Sequence, residues 1–270
     1  MPDARTHASR RRHKAGPTLA VQPPAGSASE RCLRLLALLA HEGRPLPLAA
    51  ISLRLGLPKA TTHRLCAQLL DSGFIARDVG ERMFAVGPAL RRLAFDTLNH
   101  GVVRGLRHEV LSSLVMEVGE TCNFTTLDGA QVLYVDRVEA LWPLRLTLDV
   151  GSHVPLHCTA SGKLLLAHLP RDERDALIGQ LSLTRMTRHT LTQAKALREA
   201  CEAIAQADHA CDREEFIDGL IAVAVPVRDA AGQVRAAIAL HAPTARLSLA
   251  EAERRLPALH AAARRMTPLI

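Results

Sequence analysis

Small residues run straight into a helical start at Pro155-Leu156-His157-Cys158-Thr159-Ala160-Ser161-Gly162-Lys163. The open backbone N–H groups of such a start favour a carboxylate or phosphate. The segment is not a phosphate-binding P-loop: the leading glycine is missing at the required distance, and Leu164 follows Lys163 where Ser or Thr is needed. Small residues ahead of a helix are also packing devices, so spacing alone leaves an anion site and plain packing both open. A thiol-dependent enzyme is the rival use of the region, with His157, Cys158, Asp212 and Glu215 supplying a nucleophile and bases. Neighbours on an extended segment point to opposite sides, which argues against a direct His157–Cys158 pair. His153, His157 and Cys158 match no zinc-finger spacing and lack an evident fourth ligand. No metal, cofactor or catalytic residue is therefore expected.

A second constellation lies at residues 47–75, where Gly56-Leu57-Pro58 separates two short amphipathic segments. Gly56 suits a left-handed helix end, and Pro58 suits the opening of a second helix because its φ is already set. Beyond it Lys59, Thr61, Thr62, His63 and Gln68 stand apart from Leu65, Leu69 and Leu70, the pattern of a DNA-reading helix-turn-helix. Residues Lys59 to Arg64 are expected in the major groove, where the start of a recognition helix meets base edges and nearby cations meet phosphates. A helical hairpin with a polar outer face gives the same periodicity. The next residues weigh against it, since Phe74-Ile75-Ala76 and Met83-Phe84-Ala85-Val86 bracket a polar turn with Gly80 at its middle and read as a β-hairpin wing. Arg77 and Arg82 suit phosphate or minor-groove contacts and equally suit a solvated surface.

Charge supports a polyanionic partner for one part of the chain only. Residues 1–107 hold 17 Lys or Arg against 7 Asp or Glu, whereas residues 108–270 hold 17 against 20. Double-stranded DNA is the economical partner for the basic part. No run approaches the roughly 18 apolar residues of a membrane span, so no membrane partner is expected. The first 28 residues carry Ser9-Arg10-Arg11-Arg12-His13-Lys14 with almost nothing large and apolar, and are expected to be a disordered basic tail, either simply solvated or an arm adding nonspecific DNA affinity. The tail lacks the apolar stretch of an export signal, which leads to an expectation of cytoplasmic residence. Six cysteines without a CxxC pair fit reduced thiols.

Three further divisions follow the tail: a winged helix-turn-helix at 29–87, a linker helix at 88–105 and an α+β domain at 106–270. Apolar residues at 90, 93, 94 and 98 predict a helix over 88–100 that Gly101 breaks, with a second helix over Leu106 to Val118; these are natural dimer contacts or plain packing within one chain. Strands are expected near 122–127, 131–138, 144–150, 220–228 and 234–241, helices near 162–168, 171–179 and 193–208, and a single helix over 248–266. Hairpin-like strand pairs outnumber strand–helix alternations, which predicts an antiparallel sheet with helices on its faces.

In this order the segments resemble the IclR family of bacterial transcription regulators over residues 29–247. The matching runs are Gly56-Leu57-Pro58-Lys59-Ala60-Thr61-Thr62-His63-Arg64-Leu65 (Ala60 where Ser is usual), Gly119-Glu120-Thr121, Val132-Leu133-Tyr134-Val135-Asp136-Arg137-Val138, residues 155–163, Asp212-Arg213-Glu214-Glu215, Gly219-Leu220 and Ala224-Val225-Pro226-Val227. The resemblance implies a GAF-like effector domain, operator binding as a homodimer or homotetramer, and repression or activation of catabolic genes. It also implies that the backbone of Thr159, Ala160, Ser161 and Gly162 holds a ligand carboxylate, with Asp212 on the facing strand. Family binders of small keto acids typically carry Cys and two Ser where this chain has Ala222, Ala239 and His241. A larger or more apolar acid, aromatic acids included, is therefore expected, with Cys211, Ala222 and Ala239 lining space and His241 as a hydrogen-bonding group. Ala222 and Ala239 also read as ordinary strand core, and a DNA-binding architectural protein without effector control is a third reading of the whole chain.

Overall fold

Caps and apolar spacing build the first elements locally. Helix α1 (Ala28–Glu42) begins behind Ser27, whose hydroxyl accepts the Glu30 N–H at 3.2 Å, and buries Leu35 and Leu39. Short strand β1 (Leu46–Pro47) leads into α2 (Leu48–Leu55) and, after the turn, α3 (Lys59–Asp71). Strands β2 (Ile75–Arg77) and β3 (Met83–Val86) form the expected wing, and β1 joins them in an antiparallel sheet of order β1-β3-β2. Leu35, Leu39, Leu46, Ile51, Leu55, Leu65, Leu69, Ile75 and Phe84 close one core under these elements. The computed structural model describes residues 26–78, 82–99, 101–142 and 148–270. The wing's Gly80 and nearly all of the basic tail lie outside them. The tail's last residue, Ala28, is already the first of α1.

From Gly87 the chain forms a second unit. Helix α4 (Pro88–Asn99) belongs to it, with Arg91 paired to Asp128 at 3.1 Å, and α5 runs over Gly101–Val118, starting five residues before the expected Leu106. Next come β4 (Thr121–Asp128), β5 (Gln131–Val138), β6 (His153–Pro155), α6 (Ala160–Ala167), α7 (Arg171–Gln180) and α8 (Ala194–Ala207). Strands β7 (Ala210–Arg213), β8 (Leu220–Arg228) and β9 (Val234–Pro243) precede α9 (Leu249–Glu253) and α10 (Leu256–Met266). The sheet is wholly antiparallel in the order β6-β5-β4-β9-β8-β7.

Two expected elements differ. Residues 144–147 of the expected strand lie outside the described set, while 148–150 form no strand and the pairing role falls to β6. The single closing helix is two, because the turn at Arg254-Arg255 ends α9 before Pro257 opens the first turn of α10.

Strand alternation explains the layering. Ile221, Val223, Val225 and Val227 of β8 and Ala236, Ile238, Leu240 and Ala242 of β9 meet α5 and α10 on one face. Ala222, Ala224, Ala237 and Ala239 present the other face to a cluster built with α6 and α8.

Candidate functional site

In the first unit, the turn between α2 and α3 is fixed by backbone and side chain together. Gly56 adopts φ +64°, its N–H reaches Leu53 O at 3.2 Å, and the Leu57 N–H reaches Ser52 O at 3.0 Å, a Schellman closure. The buried Ser52 hydroxyl donates to Leu57 O at 2.6 Å and locks the corner from inside. Pro58 stands at the N-cap of α3 with ψ 142°, one position before the helix.

That corner aims the start of α3 outward. Lys59, His63, Arg64 and Gln68 are exposed along one stripe and Thr61 is half-buried beside it. Thr62 corrects the expected set: it is fully buried, and its hydroxyl donates to Pro58 O at 3.2 Å. Three residues beyond Lys59, it faces the core with Leu65, Cys66 and Leu69 and cannot reach a base. In the wing Arg77 is exposed with its guanidinium 5.5 Å from the Phe84 ring centre, and Arg82 is exposed one position before β3.

In the second unit Thr159 caps α6. Its hydroxyl accepts the Gly162 N–H at 3.1 Å and donates to Pro155 O at 2.8 Å, while its carbonyl takes the Lys163 N–H at 3.0 Å. The amides of Ala160 and Ser161 are those that first-turn geometry leaves open to an acceptor. Thr159, Ala160 and Ser161 are all buried.

Pairing across the sheet sets Asp212 opposite Ala222, Ala222 opposite His241 and His241 opposite Thr121; the next row on that face carries Ala224, Ala239, Asn123 and Arg137. The structure thus brings Asp212, Ala222, Ala239 and His241 onto one face. Cys211 is the exception: alternation turns it to the opposite face, into the cluster with Ile221 and Val223. Asp212 is buried and accepts the Glu215 N–H at 2.7 Å; burial lifts its carboxyl to about 7. Ala222 and Ala239, fully buried in the cluster with α6, serve close packing as well.

Asn123, Arg137 and Lys163 are not among the expected site residues, and Glu215 enters only as a base of the thiol-enzyme reading. Arg137 donates to Asn123 Oδ1 at 2.8 Å and to Glu139 at 3.2 Å. The Asn123 Nδ2 and both ring nitrogens of His241 are buried with no hydrogen-bond partner. His241 retains some exposed surface, but none of it at those nitrogens. Lys163 pairs with Glu215 inside the unit, both side chains being almost wholly buried. Pairs of polar residues on facing strands, such as Asn123 and Arg137, would have been the usable signal.

Burial drives the His241 imidazole down to about 3, with the Arg137 charge adding to the effect. Native His241 therefore stays neutral while the unfolded chain takes up a proton below about 6.5, so stability falls as pH drops from about 6.5 toward 3. Between pH 7.5 and 5.5 wild type should lose on the order of 1 kcal/mol more unfolding free energy than His241→Gln, as read by urea titration. Equal losses in the two proteins would contradict the assignment.

The clustered thiol-enzyme residues do not assemble a reactive pair. Burial, then Asp212, pushes Cys158 up to about 12, and His157 Nε2 donates to the Thr184 carbonyl at 2.9 Å. His153 instead meets Asp128 at 2.9 Å.

A DNA-reading corner with a wing in one unit, and an antiparallel sheet with a capped, buried helix start in the other, define a transcription regulator with a small-molecule effector domain. The chain belongs to the IclR family: the model of the IclR helix-turn-helix domain matches residues 28–79, and that of the bacterial transcriptional regulator IclR C-terminal domain matches residues 95–267. It is 42% identical over 240 residues to the Cupriavidus necator protein named "Probable transcriptional regulator SauR", covering 89% of this chain and 95% of that one. A regulator structure from Rhodococcus sp. RHA1 superposes with a TM-score of 0.62 at 28% identity, covering 90% of this chain and 97% of that one. The inducer-binding domain of a double mutant of PobR from Acinetobacter, in complex with 3-hydroxybenzoic acid, is 28% identical with a TM-score of 0.57, covering 63% of this chain and all of that one. These relatives are regulators, not enzymes. No helix among the described residues is long and apolar enough to cross a membrane.

Proposed function

We propose that the chain binds a specific operator and that a small organic acid, aromatic acids foremost, modulates that binding to control catabolic genes. One observation carries the ligand: buried donors at Asn123 and His241 lie without partners on the sheet face that also carries Asp212, and the capped start of α6 supplies further amides. The PobR relative, whose structure holds an aromatic acid, supports the class. The carboxylate sits at Ala160 and Ser161, and His241 and Asn123 reach a second polar group. The acid favours one arrangement of the effector domains and thereby the spacing of two recognition helices on DNA. Exposed apolar side chains at Leu93 of α4 and Val102, Val103 and Leu106 of α5 favour homodimers or homotetramers.

The test is fluorescence anisotropy of the full chain on the DNA next to its own gene, at two salt concentrations, with and without a panel of aliphatic and aromatic acids. Binding specific to that DNA and shifted by an aromatic acid is the expected result; indifference to sequence and to every acid would overturn the reading. In the same assay Lys59→Ala or Arg64→Ala should weaken operator affinity about tenfold or more and flatten its salt dependence, with acid binding by calorimetry unchanged. Thr62→Val should leave operator affinity as it is. A tenfold loss on Thr62→Val would place that side chain at the DNA after all.

A further inference from the structure

Cys211, turned away from the effector face, sits at the sheet edge beside two other side chains of metal-ligating type. We propose that His209, Cys211 and Glu253 form a site for one thiophilic divalent cation of the zinc class. One ligand atom from each lies within 4.8 Å of the other two. Zinc bonds of about 2.0–2.3 Å place neighbouring ligands roughly 3–4 Å apart, so side-chain rotation of about an ångström closes the set. The placement follows from the fold: His209 immediately precedes the edge strand β7, Cys211 lies two residues on within it, and Glu253 ends α9, whose Ala252 packs in the same cluster as Cys211.

The hydrogen bonding already suits a cation. His209 Nδ1 lies 3.0 Å from the Ala207 carbonyl, which only accepts, so Nδ1 carries the proton and the Nε2 lone pair is left for a metal. Holding the far ring nitrogen in this way is the usual support for a ligating imidazole. The Cys211 thiol donates to Glu253 Oε1 at 3.3 Å. A cation replaces that proton: the S–H bond breaks, sulfur and carboxylate oxygen each bond the metal, and the proton leaves to solvent. Thiolate and carboxylate then neutralise the two positive charges. Cys211 is buried while His209 and Glu253 are half-exposed, which leaves an entry path and a fourth position for water. Arg213, 3.8 Å from Glu253 Oε1 and largely exposed, is free to turn outward. Sulfur and imidazole disfavour magnesium and calcium. Because Asp212 faces the other way from the same strand, a bound cation would fasten the back of the strand whose front faces the effector.

The test titrates the metal-free full chain with Co²⁺ and then displaces it with Zn²⁺. One equivalent should bind with thiolate-to-cobalt charge-transfer absorption, and zinc should raise the melting temperature. Cys211→Ser should lose the charge-transfer band. His209→Ala and Glu253→Gln should weaken binding beyond the about 10–100-fold cost of disturbing a supporting partner. Metal-free melting temperatures equal to wild type in Cys211→Ser, or in the half-exposed His209→Ala should the first variant melt lower, separate loss of the site from loss of the fold. No stoichiometric binding, or binding and charge transfer unchanged in Cys211→Ser, would overturn the proposal.

Discussion

Gly162→Ala should cripple the second unit, with a stability loss of about 3 kcal/mol or more and no measurable acid binding. A Cβ at this position would stand 2.3 Å from the Leu156 carbonyl oxygen, 2.5 Å from Leu156 Cα and 2.6 Å from the Thr159 hydroxyl. Two of those atoms are backbone, and Leu156 is itself buried, so nothing flexible can give way. The third is the capping oxygen, so any shift that relieves the clash also opens the start of α6. The contrast is Gly179→Ala in α7, where an added Cβ meets nothing within 4 Å and helix propensity predicts a gain of about 0.5–1 kcal/mol. Urea unfolding of both variants decides; a Gly162→Ala protein as stable as wild type would mean the segment repacks freely.

Breaking the buried Lys163–Glu215 pair on one side is expected to be about as severe. Lys163→Met leaves the Glu215 carboxylate buried without its cation, for a loss of about 3–5 kcal/mol. Glu215 has one oxygen without a partner even in the intact protein, while the other takes Lys163 and the Arg213 N–H. Its carbonyl also holds the 181–193 loop through the Thr190 hydroxyl at 2.7 Å, so a displaced Glu215 loosens that loop too. Replacing both partners with Met should recover more than half of the loss, because two apolar side chains need no partner. A double variant no more stable than Lys163→Met would show that the hydrogen bonds around Glu215, and not the unpaired charge, set the loss.

What could be read from the chain follows from where the forces are local. The α2–α3 corner, the wing and the β8–β9 hairpin were legible because turn residues and apolar periodicity lie within a few positions of each other. Helix α1, capped by Ser27 and buried along Leu35 and Leu39, is absent from the expected elements although its run of leucines sets it apart from the basic stretch before it. Thr62 was misread because a threonine is as much at home in a core, bonded to the preceding turn, as on a groove-facing stripe. Cys211 was misread for a different reason: its neighbour Asp212 shares the sheet face of Ala222 and α6, and a single position on a strand reverses the face. Asn123 and Arg137 required knowing which strands adjoin, and the Lys163–Glu215 pair required knowing that the start of α6 packs against the turn after β7; no short motif states either. The 181–193 loop, held by Thr187 and Thr190 to the 214–215 backbone, has no periodicity to read.

The division of labour in β8 and β9 bears on how new specificities arise in this lineage. Bulky branched residues on one side anchor the sheet to α5 and α10, while the reverse side is floored with alanine. Relative to a floor alanine, serine adds one oxygen, cysteine one sulfur and valine two carbons, so single substitutions there would reshape the proposed effector face while leaving the side chains of the anchored face unchanged. Each added atom on the alanine side meets the cluster built with α6 and α8 and costs about 1–3 kcal/mol of over-packing, a cost that the branched side chains packed on α5 and α10 help the sheet to carry.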